Sequence, residues 1–260
     1  MNPADFMKSL TPFVLEAGQR IMRIYQSDPT FELKNDGSPV TQADKESEDI
    51  IALGLRKIAP NIEVISEENV LSHGKRPAER FFLVDPLDGT KEFINKNGEG
   101  NFTINIALIE NGFPIMGIVY APALKKYFHG CISHGAWELS NGSDKRIHTS
   151  PHISNKIVAV ASRSHIDKET KQWLTDNKVK KTISIGSSLK FCLVANGEAD
   201  VYPRFSPTME WDTAAGDAIL RSAGGIVKTA NDTVFVYGKK KYLNGPFIAW
   251  GKTTSTPLTS

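Results

Sequence analysis

Asp85, Leu87 and Asp88 fall within four positions of one another in Phe81-Phe82-Leu83-Val84-Asp85-Pro86-Leu87-Asp88-Gly89-Thr90, where an apolar run passes straight into two carboxylates. Four consecutive apolar residues read as a buried strand, and Pro-x-Asp-Gly reads as a turn. The strand end therefore presents Asp85, the Leu87 carbonyl and Asp88 together. Hard oxygen donors of this kind suit Mg²⁺, which is held by a few carboxylates plus substrate phosphate oxygens rather than by a closed protein cage. By itself Asp-Gly after a strand is an ordinary turn signal. Two further segments change the reading: Val64-Ile65-Ser66-Glu67-Glu68, a second apolar run ending in acids, and Trp211-Asp212-Thr213-Ala214-Ala215-Gly216, an acid opening a small-residue helix. Taken singly, Glu67 and Glu68 are a solvated turn and Asp212 is a helix cap. Carboxylates that converge from three element ends repel one another unless a cation sits between them.

Other polar residues have both a local and a chemical reading. Gly89 and Thr90 open a short helix, so their backbone N–H groups would face an anion, and Gly89 allows close approach. Asp44 stands at the front of a helix, where capping is the ordinary role. Lys34, Asp36 and Ser38 belong to a polar turn. Ser187 and Lys190 follow Gly186 at a helix start, which suits either an anion or a capping serine beside a solvated lysine. His73, His129, His134, His148 and His152 show no ligand spacing.

These segments together resemble the two signatures of the inositol monophosphatase superfamily and, within it, its bacterial 3′(2′),5′-bisphosphate nucleotidase branch. The likeness rests on residues 85–94 and 102–109, on Ser162-Arg163-Ser164-His165, on Gly186-Ser187-Ser188-Leu189-Lys190-Phe191, and on Tyr202-Pro203-Arg204-Phe205. It implies an α/β protein with an α-β-α-β-α layered sandwich. It also implies a Mg²⁺-dependent, lithium-sensitive phosphomonoesterase that converts adenosine 3′,5′-bisphosphate to AMP and phosphate. The 5′-phosphosulfate analogue would be a second substrate, which would link the chain to sulfur assimilation. By the resemblance, Glu67, Asp85 and the Leu87 carbonyl hold one metal. Asp85, Asp88 and Asp212 hold another, and a third joining through Glu67 and water is left open. Asp44, Thr90 and Glu67 form the catalytic group, with Asp44 and Thr90 activating the attacking water. Gly89, Thr90 and Asp212 meet the scissile phosphate, while His165, Ser187, Lys190 and Arg204 meet the nucleotide and its uncleaved phosphate. The planar guanidinium fork of Arg204 suits that phosphate. Asn97-Gly98-Glu99-Gly100-Asn101-Phe102-Thr103 is two residues longer than the branch pattern Asn-Gly-Glu-Phe-Thr, which bears on substrate preference. An inositol 1-phosphate or sugar phosphatase is the rival of the same chemistry. A non-catalytic nucleotide-binding module is the rival of another class, and it would be expected to have lost a ligand; none is missing.

Positioning these groups requires a set of elements that periodicity outlines. Phe6, Leu10, Phe13, Val14, Ala17, Ile21, Ile24 and Tyr25 make one buried helical face, with Pro12 as its start (Thr11 capping) or as a kink. A strand over 31–34 and a helix over 41–59 follow. Residues 102–139 read as four strands of an antiparallel meander. The polar stretch at 141–144, with Thr149-Ser150-Pro151, reads as a connector. It divides an N-terminal α+β domain (1–145) carrying most metal ligands from a C-terminal α/β domain (146–260) carrying Asp212 and the nucleotide contacts. Beyond it strands at 157–161, 182–185 and 201–204 alternate with helices at 167–175, 187–195 and 212–222, and 253–260 is a loose tail.

The 260 residues carry a net charge of +2, with 40% hydrophobic and 23% charged residues. Those values describe a globular protein and give no electrostatic case for nucleic acid as a partner. Cys131 and Cys192 sit in apolar runs and read as free thiols of a reducing compartment. Lys180-Lys181 and Lys239-Lys240-Lys241 read as solvated surface, and Trp137, Trp173 and Trp250 as packing. The N-terminus lacks a signal-peptide pattern and no apolar run reaches about 20 residues. The expectation is a cytoplasmic protein, with peripheral contact to the inner face of the membrane left open and the oligomeric state unknown.

Overall fold

Five layers stack in the order helix, sheet, helix, sheet, helix, as the layered α/β expectation requires. The computed structural model describes residues 1–27, 30–34, 37, 39–74, 76–96, 100–140, 142–150, 157–162 and 166–251. His165, Asp36, Ser38, residues 97–99 of the longer 97–103 segment and the 253–260 tail therefore lie outside the described residues.

The first layer pairs α1 (Pro3–Gln26) with α2 (Gln42–Ile58), joined through the small hairpin of β1 (Phe31–Leu33) and β2 (Pro39–Thr41). Helix α1 begins well before Pro12, so Pro12 is not its start but lies within it, where the other reading had placed it. Asn2 accepts a hydrogen bond from the Asp5 N–H at 2.9 Å, and Pro3 fills the first turn, where a missing N–H costs nothing. Pro12 lies inside the helix on its exposed side, and Thr11 does not cap but donates to the Met7 carbonyl at 2.9 Å.

The second layer is a seven-stranded sheet among the described residues. Its strands are β3 (Glu63–Ser66), β4 (Arg80–Asp88), β5 (Thr103–Glu110), β6 (Phe113–Ala121), β7 (Lys126–Cys131), β8 (Gly135–Ser140) and β9 (Ser143–Ile147), in that order. Short helix α3 (Thr90–Asn95) hangs between β4 and β5. Strand parity sorts the side chains. Phe82, Val84, Ile104, Ile106, Met116 and Ile118 pack under α1 and α2, whereas Phe81, Leu83, Ala107, Val119 and Phe128 face the middle layer. The expected polar connector is instead the hairpin into β9, whose residues pair with β8 from Ser140↔Ser143 to Ala136↔Ile147. The expected domain division at 145/146 thus falls inside a strand. One apolar cluster, holding Leu83 and Val119 with Val160, Tyr202 and Phe247, runs through both halves.

The far sheet is ordered β11-β10-β12-β16-β14, from β10 (Val158–Ser162), β11 (Lys181–Ile185), β12 (Val201–Arg204), β14 (Ile226–Thr229) and β16 (Phe247–Trp250). Helix α4 (Lys168–Asp176) covers its outer face, where Trp173 meets Trp250 edge-on at 5.7 Å. Helices α5 (Leu189–Ala195) and α6 (Ala214–Ser222) fill the middle layer, and β13 (Thr208–Met209) pairs with β15 (Leu243–Asn244) at its rim. Cys131 and Cys192 are buried free thiols. Of the Lys239-Lys240-Lys241 run, Lys239 is not solvated surface: its ammonium lies 2.7 Å from the fully buried Glu210. Among the described residues no helix is long and apolar enough to cross a membrane.

Helix α6, which directly follows Asp212, packs closely on β6, and Gly117 makes that approach possible. A Cβ at Gly117 would lie 2.2 Å from the Ala215 carbonyl oxygen and 2.9 Å from Ala218 Cβ, so backbone would have to move. Gly117→Ala is expected to lower stability by about 1–3 kcal/mol through overpacking, read as a lower urea midpoint with an unchanged slope.

Candidate active site

Each acid reaches the site for a local reason. In β4 the alternation that sends Phe81 and Leu83 into the middle layer sends Asp85 the same way, and the pairing with β5 slips between Asp85 and Asp88. That irregularity replaces the simple turn expected from Pro-x-Asp-Gly: the strand runs on to Asp88, and Gly89 then turns the chain at φ +93° into α3. Leu87 buries its side chain under α1 and α2, and Ser47 of α2 ties down the segment by donating to the Pro86 carbonyl at 2.8 Å. Glu67 leaves the end of β3, parallel and adjacent to β4. Asp212 lies just before α6, whose N-cap is Thr213; Asp212 is not the cap but accepts from Met209 N–H at 3.0 Å and from the Thr208 hydroxyl.

Oxygens of Glu67, Asp85 and Asp212 converge within 4.8 Å of one another. Asp88 stands outside that set yet close enough to push on Asp85 and Asp212 electrostatically; its Oδ2 accepts from Ser188 at 3.1 Å and lies 3.5 Å from Asn105 Nδ2. Burial, reinforced by the neighbouring carboxylates Glu67, Asp88 and Asp212, pushes Asp85 well above the usual carboxylate range. Burial, then the charges of Asp88 and Glu67, raise Asp212 to about 7. Such a set holds several negative charges together only with a positive partner.

Lys34 is one such partner. Its ammonium sits 2.8 Å from Glu67 and 2.5 Å from Glu68. Burial alone would lower the Lys34 pKa, but the two glutamates outweigh it and hold it above the ordinary lysine value. Glu68, raised mainly by burial, reaches about 7 even so. Asp85 has no such help. Its Oδ1 accepts from the Leu87 N–H at 3.0 Å, while Oδ2 is buried and has no hydrogen-bond partner among the described residues. An orphaned carboxylate oxygen facing two more acids is the environment a divalent cation completes, so the donor set fits a hard metal held by Glu67, Asp85, Asp212 and, beside them, Asp88 and the Leu87 carbonyl.

Asp44 fills both of its readings at once. Oδ2 closes a capping box by accepting from Thr41 N–H at 2.8 Å and from the Thr41 hydroxyl at 2.6 Å. Oδ1 is left for the Thr90 hydroxyl at 3.1 Å, which also lies 3.2 Å from the Leu87 carbonyl and has one proton to give. Burial raises the Asp44 pKa, and these hydrogen bonds oppose the rise.

A cleft of about 170 Å³ is lined by Asp88 and Asp212 together with Ser187, Lys190, Tyr202 and Arg204. The helix there starts later than expected. Ser187 precedes it with φ +51° and does not cap, and α5 opens at Leu189. Lys190 folds back to donate to the Ser187 carbonyl at 2.6 Å and places its ammonium 5.5 Å from the Tyr202 ring. Arg204 is held by the carbonyls of Ser206 (3.2 Å) and Pro207 (3.0 Å). The structure thus gathers Gly89, Ser187, Lys190 and Arg204 at one cleft with Asp88 and Asp212; His165 lies outside the described residues.

Sequence reasoning missed Ser188. Its hydroxyl lies 3.1 Å from Asp88 Oδ2 and 2.7 Å from the Asp212 carbonyl, so one side chain ties together two acids from opposite halves of the chain. The only signal was a second serine beside Ser187, where chain direction reverses. Removing a side chain that orients metal ligands typically weakens metal affinity about 10–100-fold. Ser188→Ala is expected near the lower end of that range, measured by titrating divalent cation into the chelator-stripped protein.

Comparison with known proteins agrees with this geometry. Residues 4–256 match the family model described as the inositol monophosphatase family. The chain is 46% identical over 235 residues to the 3′(2′),5′-bisphosphate nucleotidase CysQ of Salmonella typhimurium, covering 89% of this chain and 94% of that protein. It is 41% identical over 239 residues to the CysQ of Buchnera aphidicola, covering 90% and 89%. The crystal structure of CysQ from Bacteroides thetaiotaomicron superposes with a TM-score of 0.81 at 38% identity, covering 96% of this chain and 98% of that one. The Thermotoga maritima IMPase superposes with a TM-score of 0.77 at 27% identity, covering 96% and 92%. With converging acids at the ends of β3 and β4 and before α6, and a match over nearly its whole length, the chain belongs to the inositol monophosphatase family.

Proposed function

We propose that this protein is a Mg²⁺-dependent 3′(2′),5′-bisphosphate nucleotidase, hydrolysing adenosine 3′,5′-bisphosphate to AMP and phosphate and accepting its 5′-phosphosulfate analogue. The observation that carries the reading is one cleft lined by two acids, Asp88 and Asp212, and by two cations, Lys190 and Arg204, with Asp212 belonging also to the converging set of Glu67 and Asp85. A substrate with two phosphates matches that division, one ester at the acids and one phosphate at the cations. The relatives named above as 3′(2′),5′-bisphosphate nucleotidases support the same choice.

Glu67, Asp85, Asp88, Asp212 and the Leu87 carbonyl would hold Mg²⁺. Bound there, the metal neutralises phosphoryl oxygens and makes water a better nucleophile. The chain's own groups do the rest. Backbone N–H groups of Gly89 and Thr90, opening α3, meet the scissile phosphate. The Thr90 hydroxyl takes the proton of the attacking water as it passes its own to Asp44 Oδ1, the oxygen that the capping box leaves available. The new P–O bond forms as the bond to the 3′ oxygen breaks, and that oxygen leaves as the hydroxyl of AMP after gaining a proton. Ser187, Lys190 and Arg204, with His165, fix the 5′-phosphate end.

Rates on adenosine 3′,5′-bisphosphate and on inositol 1-phosphate, measured side by side in Mg²⁺, test this choice. The nucleotide is expected to be the far better substrate. Equal or faster release from the inositol ester would keep the metal site and discard the nucleotide assignment.

A further inference from the structure

His73, which shows no ligand spacing in the sequence, contacts the residues that immediately precede two of the site's acids. It belongs to the 3₁₀ turn Val70–Gly74 that follows β3. Its Nε2 lies 2.7 Å from the Ser66 carbonyl. A carbonyl can only accept, so the ring proton is on Nε2. The other side of the contact is aromatic: the imidazole stacks on Trp211 with centroids 4.8 Å apart and planes 23° from parallel. Tyr242 closes the group, 6.3 Å from His73 and 6.1 Å from Trp211.

Ser66 immediately precedes Glu67, and Trp211 immediately precedes Asp212. Ser66 is fixed on every polar atom: its N–H donates to Ser72 Oγ at 3.2 Å, its hydroxyl to Glu48 at 2.5 Å, and its carbonyl accepts from His73. Trp211, by contrast, has a buried indole N–H with no hydrogen-bond partner among the described residues, so its placement depends on packing against His73 and Tyr242. One imidazole therefore joins the backbone leading into Glu67 to the ring leading into Asp212. Neither β3 nor the rim before α6 pairs with the other in any sheet.

We infer that His73 is a positioning residue that sets the separation of Glu67 and Asp212 and thereby the affinity of the site for divalent cation. The inference rests on the metal-site reading given above. It separates two contributions: the Nε2–H bond orients the Glu67 side, and the stacked ring orients the Asp212 side.

The test is calorimetric titration of Mg²⁺ into full-length, chelator-stripped protein, without substrate, for wild type, His73→Ala and His73→Phe. His73→Ala is expected to weaken Mg²⁺ binding about 10-fold, within the range for side chains that orient metal ligands. His73→Phe keeps a stacking ring but no donor, and should lie between the two. In turnover assays the Mg²⁺ concentration for half-maximal rate should shift in parallel, while the nucleotide KM and the rate at saturating Mg²⁺ stay within about 2-fold. Trp173→Leu, which disrupts the pair with Trp250 on the outer face of the far sheet, controls for destabilisation and should leave Mg²⁺ affinity unchanged. Wild-type affinity in folded His73→Ala would overturn the inference; if that variant does not fold, wild-type affinity in His73→Phe would do so. No Mg²⁺ binding by wild type would instead overturn the metal-site reading beneath it.

Discussion

Asp85→Asn is expected to cut turnover steeply while making the chelator-stripped protein more stable. Asp85 is 1% exposed, one of its oxygens lacks a partner, and Glu67, Asp88 and Asp212 all press on its charge. An amide of the same shape removes that repulsion and supplies N–H donors to carboxylates within reach. The same change deletes the most buried anionic donor of the metal site. A loss on the order of 10³-fold in kcat/KM follows from the several kcal/mol that a bound metal contributes to the transition state. Thermal unfolding in EDTA should show a higher Tm than wild type, and added Mg²⁺ should stabilise the variant far less. A variant that is destabilised in EDTA, or that retains turnover at saturating Mg²⁺, would remove Asp85 from the site.

The second large effect is a pH dependence that Mg²⁺ reverses. Asp212 rises from 3.8 to about 7 in the fold, chiefly through burial and then through the charges of Asp88 and Glu67. Glu68 rises from 4.5 to about 7, chiefly through burial. An acid whose folded pKa exceeds its unfolded one binds more protons in the native state between the two values, so stability falls as pH rises through that window. The chelator-stripped protein should therefore lose stability from about pH 4 to pH 7, with the slope flattening above. Mg²⁺ requires the deprotonated acids, so its binding releases protons and tightens with pH. The Tm increment given by saturating Mg²⁺ should grow from pH 5 to pH 8. An increment independent of pH would mean that Asp212 does not bind the metal.

The convergence of acids was legible in the sequence because two apolar runs stop at acids and a third acid opens a small-residue helix, and burial forces such runs to be strands whose ends are fixed. The place of Asp44 at the front of a helix was legible too, and the resemblance paired it with Thr90, whose hydroxyl lies 3.1 Å from Asp44 Oδ1; that Asp44 closes a capping box with Thr41 emerged only in the fold. What escaped has a common cause. Strand β9 reads as a polar turn because four of its five residues are exposed, leaving only Ile147 as an apolar signal. Pro12 misleads because it falls on the exposed side of α1, where the carbonyl left without its N–H partner faces solvent rather than the core. Ser188, His73 and Lys239 act through partners distant in the chain: Asp88 and Asp212, Trp211, and the buried Glu210. Such pairings exist only once the layers have stacked.

The central claim is that the converging acids hold Mg²⁺ for cleavage of a 3′-phosphate ester. Its most direct test is a single assay: adenosine 3′,5′-bisphosphate with the full-length protein in EDTA, then after Mg²⁺ is restored, with released phosphate and the nucleotide product both identified. No release is expected in EDTA, rapid release on adding Mg²⁺, and AMP that keeps its 5′-phosphate. Release undiminished in EDTA, or a product that keeps the 3′-phosphate instead, would contradict it.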